Sequence, residues 1–409
     1  GRRLLEQRGV SFPTTEGNQE RGTLALKVGG HRIEVTTFRA GDTRLPLDQR
    51  IVADLQARDM TIGALAFHLA SGAIVDPTGG LADWRGRRIV AVGDAAARVR
   101  EHPVRWLRYY RKAHELGFEL DRAVRKLTPT AEAFAGVPAE ALGAELRAGL
   151  GRCRSPGRLF VDLHEAGLLA ALAPELDRQF DGRPAGPQRW HPEIGQALHM
   201  VLALEWAVER CAHLDERDRM AVLLAVLCHD LGKGFTDPLQ LPGHPGHERA
   251  GAAHVKRVLD RFPGLADQRT RMLALHVCEL HVEIRHLREL RPGTMVALYD
   301  GYFRARDYPI GLFALAVGAD SGGRLGMATD GDRIRARITA DLLWLRQCCD
   351  RVDAAALRAK YPDVERFKAA LHEARCRALA VTPAADANAA AAADGAGNRA
   401  GDAADRHRT

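Results

Sequence analysis

The sequence predicts an α+β protein in which helix predominates, with a small sheet near its start. Three observations carry that expectation. Residues 23–28 (TLALKV) and 31–38 (HRIEVTTF) alternate in the manner of strands, and Gly29-Gly30 between them suits a hairpin turn. Ala221 to Gly234 (AVLLAVLCHDLGKG) opens as an unbroken aliphatic run of helical character. Beyond Asp332, the segments ARITADLLWLRQCCDRV and VERFKAALHEARCRALA are amphipathic at helical spacing.

Bulk properties narrow the class. A chain of 409 residues accommodates two or three domains, and 46% hydrophobic residues suffice for sizeable cores. No apolar run approaches the ~20 residues of a membrane span, and no signal-peptide pattern opens the chain. Seven cysteines without CxxC spacing point to a reducing cytoplasm, and to neither a disulfide framework nor a zinc cluster. The net charge of +7 suits a polyanionic partner. The chain begins at Gly1, without methionine, in a stretch (RRLLEQRG) that reads as a helix in progress, so further residues are expected upstream.

Along the second strand, Glu34 and Thr36 share one face and Ile33, Val35 and Thr37 the other. Glu34 is either a solvated carboxylate or one arm of a two-metal site. Arg58 to Ala66 reads as a helical segment, and Ile74-Val75-Asp76-Pro77-Thr78-Gly79-Gly80 as a strand entering a turn. In the helical stretch Arg98–Arg111, the side chains of Arg105, Arg108 and Arg111 fall at i, i+3 and i+6. Such a row either forks onto phosphates and base edges or forms a solvated basic face.

These motifs, in this order, resemble the class II tRNA nucleotidyltransferase (CCA-adding) and poly(A) polymerase family. The family's RRDFTINA, IDPFGG and EDPLRxLRxxRF are matched by ARDMTIGA, VDPTGG and EHPVRWLRYYRK, and the family's LGF recurs as Leu116-Gly117-Phe118. The strand IEVTTFR matches the third-carboxylate strand with Glu34 in the acidic position, and Glu145–Glu175 resembles the helical body of these enzymes. The resemblance implies nucleotide contacts for Arg58, with Asp59 beside it, and a templating helix carrying Arg105, Arg108 and Arg111. It also implies CTP and ATP as substrates, tRNA as partner and Mg²⁺ as cofactor. His102 is expected among the nucleotide-binding residues, but there the chain departs from the family, which usually has an aspartate, as it does at Gly63, where the loop has asparagine. The family's Gly-Gly-x-Val-Arg-Asp and Asp-x-Asp motifs are expected upstream of Gly1.

From Arg189 the character changes, with Asp181–Pro187 (DGRPAGP) expected to act as a linker. Of 17 histidines, ten lie between His191 and His286. A histidine and a carboxylate at the last turn of an aliphatic helix need compensation if buried, at roughly ~2–7 kcal/mol for an unpaired polar group. A divalent cation on His229 and Asp230 would supply it; alternatively His229 suits the dipole at the helix C-terminus and Asp230 faces water. The order His199 … His229-Asp230 … Asp320 resembles the ligand set of the HD phosphohydrolase superfamily. The surrounding pattern WHPE…H…LCHDLGKG…GH…GH…AG is similar to the HD domain of bacterial multifunctional CCA proteins. That resemblance implies hydrolysis of 2′,3′-cyclic phosphates and phosphomonoesters at a divalent transition metal or Mg²⁺. Lys233 would neutralise phosphate or cap the helix; His244 and His247 would bind substrate phosphate or a second metal.

The expected organisation is a partial nucleotidyltransferase head (1–82), a helical neck and body (83–180), an all-helical HD domain (189–330), a helical tail (331–381) and a disordered end (382–409). The expected function is tRNA 3′-end CCA addition and repair in the cytoplasm, with phosphohydrolase activity in the HD domain. The alternatives are an HD phosphohydrolase with a degenerate, non-catalytic head, or an RNA-binding protein without catalysis.

Overall fold

The computed structural model describes residues 23–28, 31–38 and 44–381. The Gly29-Gly30 turn, the opening helical stretch and the expected disordered end lie outside the described residues. Among those described, no helix is long and apolar enough to cross a membrane. The chain divides into two compact units, the first running through Glu101 and including Glu119–Arg125, the second formed by the rest.

In the first unit, β1 (Thr23–Val28) and β2 (His31–Thr36) pair antiparallel, with Ala25 opposite Glu34. Both faces of β2 are exposed, Glu34 and Thr36 on one and Ile33 and Val35 on the other. Helix α1 (Leu47–Gln56) follows. Residues 58–66 do not form the expected helix. They make a single 3-10 turn at Thr61–Gly63 and then enter β3 (Ala66–His68), which pairs with β4 (Ala73–Val75). Side chains compete with helical hydrogen bonding here. Asp59 accepts the Met60 N–H at 2.8 Å, and the Thr61 hydroxyl donates to Asp83 at 2.8 Å.

The VDPTGG turn has a comparable logic. Asp76 accepts the N–H groups of Gly80 (2.8 Å) and Leu81 (3.0 Å), capping α2 (Gly80–Arg85). A Cβ on Gly80 would collide with the Thr61 carbonyl, so glycine there lets the two motifs close on each other. After β5 (Arg88–Ile89) and α3 (Ala95–Glu101), the chain leaves for α4 (Val104–Leu116). It returns as β6 (Glu119–Leu120), parallel to β5, and α5 (Arg122–Arg125). The stretch 98–111 is therefore two helices, interrupted at His102-Pro103. The β5–β6 pairing carries this unit past residue 82, the boundary expected from sequence.

The second unit is helical. Helix α4 packs on α6 (Ala139–Arg152) and α7 (Pro156–Glu165), followed by α8 (Leu168–Leu172) and α9 (Pro174–Asp177). Next come α10 (Gln196–Arg210), α11 (Glu216–Cys228), α12 (His247–Arg261), α13 (Gln268–Leu280), α14 (Pro292–Leu298) and α15 (Ile310–Gly322). The last described elements are α16 (Ala328–Asp350), α17 (Ala354–Lys360) and α18 (Val364–Val381).

Helix α11 is the hub. Every residue from Met220 to Cys228 is buried, as an all-apolar helix requires, and α6, α10, α13 and α15 surround it. Helices α10, α15 and α16 are locked at Trp206, whose indole N–H donates to the Ala328 carbonyl at 2.9 Å. Arg210 reinforces the joint through Asp332 at 2.8 Å.

Candidate metal centre

Four helices of the second unit deliver polar side chains to the C-terminal end of α11. His229 is the C-cap of α11, so the helix stops where the aliphatic run ends, and Asp230 begins the 3-10 turn Leu231–Phe235. His199 comes from α10, His247 from the first turn of α12, His281 from the C-cap of α13 and Asp320 from α15. His199, His229, Asp230, His281 and Asp320 are all buried. Gly232 makes the approach of α12 possible, since a Cβ there would run into the His247 carbonyl.

Hydrogen-bond partners fix the ring tautomers. The Nδ1 of His229 lies 2.6 Å from the Val226 carbonyl, that of His247 2.7 Å from the His244 carbonyl, and that of His281 3.0 Å from the Cys278 carbonyl. A carbonyl only accepts, so each Nδ1 carries the proton and each Nε2 presents a lone pair. His199 follows the pattern with a carboxylate, its Nδ1 standing 2.9 Å from Glu193. All four Nε2 atoms point at acceptors. His199 Nε2 is 3.3 Å from Asp320 and 3.7 Å from Asp230, and His229 Nε2 is 3.1 Å from Asp230. On the other oxygen of Asp230, His247 and His281 stand at 3.2 and 3.5 Å, with their Nε2 atoms 3.3 Å apart.

Buried acceptors facing acceptors repel unless a cation or proton lies between them. The Nε2 atoms of His199 and His229 and one oxygen of Asp230 have no hydrogen-bond partner. The donor set, imidazole nitrogen and carboxylate oxygen, suits a divalent metal. Among the described residues three groups have ligand atoms within 4.8 Å of one another: His199–His229–Asp320, Asp230–His247–His281, and His191–Glu193–His199, in which Glu193 holds the rings of both histidines. Asp230 faces the first two, so beside the four-ligand set expected from sequence stands a second group around His281 and His247, the latter expected to bind either substrate phosphate or a second metal.

The electrostatics agree with this geometry. Burial pushes the carboxyl of Asp230 up, but His229 and Lys233 beside it hold it well below its ordinary value. Burial is likewise overcome at Asp320 by Arg285 and Arg324. Burial lowers His199 and His247, yet Asp320 and Glu193 raise the first and Asp230 raises the second above the ordinary histidine value. A proton on those rings is the alternative to a metal.

Other expected residues sit differently. Lys233 is buried, donating to the Ala185 carbonyl and pairing with Asp230, both at 2.7 Å, so it is a counter-charge within the cluster. His244 is bonded at both nitrogens, to the Thr236 hydroxyl and the Pro184 carbonyl, each at 2.9 Å, which leaves no nitrogen for a phosphate. The segment 181–187 is no linker. It bridges Pro184 to Gly195 and walls the cavity over the cluster, because its carbonyls are the acceptors for Lys233 and His244. That cavity of ≈500 Å³ is lined by Trp190, His247, His281, Arg285, Asp320 and Arg324 among others.

His281, Glu193, Gln196, Arg285 and Arg324 also belong to the site, although their sequence positions assign them no role in it. Glu193 contacts both His191 (2.7 Å) and His199, and Gln196 donates to Asp230 at 3.2 Å. Arg285 pairs with Asp320, and Arg324 lies 3.6 Å from the same carboxylate. His281 carried a signal, since like His229 it closes a helix with a buried apolar face.

On α4, Arg108 and Arg111 both reach Glu145, at 2.8 and 2.7 Å, and Arg111 also pairs with Glu115. Arg105 is buried on the same helix, and His102 is exposed. Arg58 is half exposed and pairs with Asp54 at 2.8 Å.

The sequence model of the Poly A polymerase head domain matches residues 3–90. A multifunctional CCA protein of Halorhodospira halophila is 38% identical over 350 residues, 82% of this chain and 78% of that protein. One of Cupriavidus metallidurans is 35% identical, over 81% of this chain and 79% of that protein. Among solved structures, the Bacillus stearothermophilus CCA-adding enzyme in complex with CTP superposes with a TM-score of 0.57 at 21% identity, covering 90% of this chain and 79% of that one. A tRNA nucleotidyltransferase complexed with a primer tRNA and an incoming ATP analogue gives 0.52 at 19% identity, covering 85% and 86%. The structural likeness establishes the fold, the two relatives the lineage: this chain belongs to the multifunctional CCA protein family of nucleotidyltransferases.

Proposed function

We propose that this protein adds and repairs the CCA end of tRNA from CTP and ATP, and that its second unit carries a metal-dependent HD phosphohydrolase centre acting on 2′,3′-cyclic phosphates and phosphomonoesters. The observation that carries the hydrolytic half is the set of buried imidazole lone pairs facing Asp230 and Asp320. His199, His229, Asp230 and Asp320 would hold one divalent cation. His247 and His281, with the other oxygen of Asp230, would hold a second. When bound, the cation supplies an acidified water and polarises a phosphoryl oxygen. Arg285 and Arg324 line the cavity beside Asp320 and meet the charge of the phosphate. The half-exposed Trp190 at the same cavity offers a face to a nucleobase.

Nucleotide selection is assigned to α4, with Arg105 and Arg108 reading the base edge and Arg111 fixed by Glu145 and Glu115 as a positioning residue. Arg58 and Asp59 contact the incoming nucleotide, and Glu34 serves as a carboxylate for Mg²⁺. Work on tRNA places the protein in the cytoplasm. A second reading, a phosphohydrolase whose head only binds nucleotide or tRNA, draws support from His102 and Gly63, which replace a base-reading aspartate and a loop asparagine.

One pair of assays separates these readings, using the product of the whole reading frame. The protein should hydrolyse 2′,3′-cyclic nucleotides with a divalent metal, and Asp320→Asn should lower that rate at least ~100-fold. Arg105→Ala should abolish CTP and ATP incorporation into tRNA and spare hydrolysis. No hydrolysis with Mg²⁺, Mn²⁺, Co²⁺ or Ni²⁺ would sink the hydrolase assignment. Incorporation that survives Arg105→Ala would sink the templating one, and none in the unmodified protein would favour the binding head.

A further inference from the structure

Away from the histidine cluster, a second cavity of ≈500 Å³ opens between the C-terminal half of α6 and the first turns of α11. Helix α6 lends it Arg147, Gly151 and Arg152, and α11 lends it Glu216, Arg219 and Met220. The spacings i, i+4, i+5 and i, i+3, i+4 put each set along one side of its helix. Met220 is buried, and a Cβ on Gly151 would stand in ordinary contact with it, 3.8 Å from its sulfur.

The charge of this cavity is unbalanced. Three guanidiniums and one carboxylate line it, three positive against one negative, a net of +2. Neighbouring arginines are matched: Arg217 pairs with Asp267 at 2.8 Å, Arg269 with Asp218, and Arg108 with Glu145. Arg147, Arg152 and Arg219 pair with no carboxylate among the described residues, and the Nε of Arg219 is shielded from solvent with no acceptor. An unsatisfied buried N–H on a charged group is costly, and such groups normally find partners.

We propose that this cavity is a phosphate-binding site, taking either a phosphodiester of an RNA backbone or the phosphate chain of a free nucleotide. A tetrahedral oxyanion offers acceptors to several guanidinium forks at once, and its charge matches the surplus. The site is separate from the histidine cluster and owes nothing to its chemistry.

The test compares intact full-length protein with Arg147→Gln/Arg219→Gln and with Glu216→Gln, the histidine cluster being the same in all three. Two quantities are read: calorimetric affinity for inorganic tripolyphosphate, and the salt dependence of binding to labelled tRNA. The double variant should lose tripolyphosphate affinity about tenfold, or lower the log K against log salt slope for tRNA by about one to two. A change in the tRNA slope assigns the RNA backbone, and a change in tripolyphosphate alone assigns the free nucleotide. Glu216→Gln should tighten binding about twofold by removing the one opposing charge, a gain that misfolding does not produce. The proposal is overturned if the double variant matches wild type in both measurements, or if Glu216→Gln weakens binding.

Discussion

Replacing Gly323 by alanine asks how closely α10 and α15 must approach to assemble the centre. Gly323 closes α15 three residues after Asp320, and it faces Ala203, one turn beyond His199 on α10. A Cβ there would lie 2.5 Å from the backbone N and Cα of Ala203 and 2.6 Å from its Cβ. Carbon atoms in good contact sit ~3.5–4 Å apart, so the two helices must separate by roughly 1 Å. Overpacking of this kind costs ~1–3 kcal/mol, which lowers Tm by roughly 3–10 °C for a unit of this size. The same separation lengthens the 3.3 Å gap between His199 Nε2 and Asp320, so divalent-metal affinity should fall about tenfold or more. Gly326→Ala is the control. Its φ is +79°, so alanine is strained there, yet its Cβ would meet nothing within 4 Å. It should lower Tm by a few degrees and leave metal affinity unchanged. Thermal unfolding and metal titration of both variants decide the matter. Wild-type Tm and wild-type affinity in Gly323→Ala would refute the reasoning.

Glu193→Gln removes the charge that holds Nδ1 of His199, and should weaken metal binding ~10–100-fold with the helical content intact, read by metal titration and circular dichroism. Trp190→Ala should raise KM for a cyclic nucleotide roughly 5–30-fold at nearly constant kcat, since base stacking contributes ~1–2 kcal/mol; an unchanged KM would remove Trp190 from the site. Asp267 caps α13, the helix that ends at His281, by accepting the Thr270 N–H at 2.8 Å, and Asp267→Ala should cost ~1 kcal/mol at pH 7. Burial pushes this carboxyl up, but the hydrogen bonds from Thr270 and Arg217 together outweigh it and bring it down to about 2. Because the folded value is depressed, the contribution is complete above the unfolded value near ~4 and fades as pH falls towards 2. Urea melts of wild type and variant should therefore converge at low pH; a gap independent of pH would contradict the assignment.

The sequence revealed most where a single element carries its own pattern. The aliphatic run of α11 announced a buried helix, and the His-Asp pair at its end left two readings, a cation site or a solvated helix end, between which burial of both side chains decides. The alternating pattern named the antiparallel strands β1 and β2, with Glu34 and Thr36 on a shared face. What stayed hidden depends on contacts between distant segments or on unusual backbone. Glu193 reaches His199 across a segment of unusual backbone, where the next residue, Ile194, adopts φ +65°, a costly conformation for a β-branched residue that no local pattern announces. The Gly- and Pro-rich stretch 181–187 reads as a linker by composition, yet its carbonyls are tied to Lys233 and His244 from the far side of the site. His281 waited on the folding of α13 against α11 to become a neighbour of Asp230. The segment 58–66 misled because Asp59 and Thr61 spend their side chains on turn and tertiary hydrogen bonds that propensity does not count.

The most direct test of the centre is its metal content. Equilibrium dialysis against Mn²⁺ followed by elemental analysis, on wild type and on Asp230→Ala, Asp320→Ala and His281→Ala, reads the constellation ligand by ligand. Two tightly held cations per chain are expected in the wild type, with one lost in Asp320→Ala, one lost in His281→Ala and both lost in Asp230→Ala. Retention of the same metal content in Asp230→Ala as in wild type, or none in any of them, would contradict this expectation.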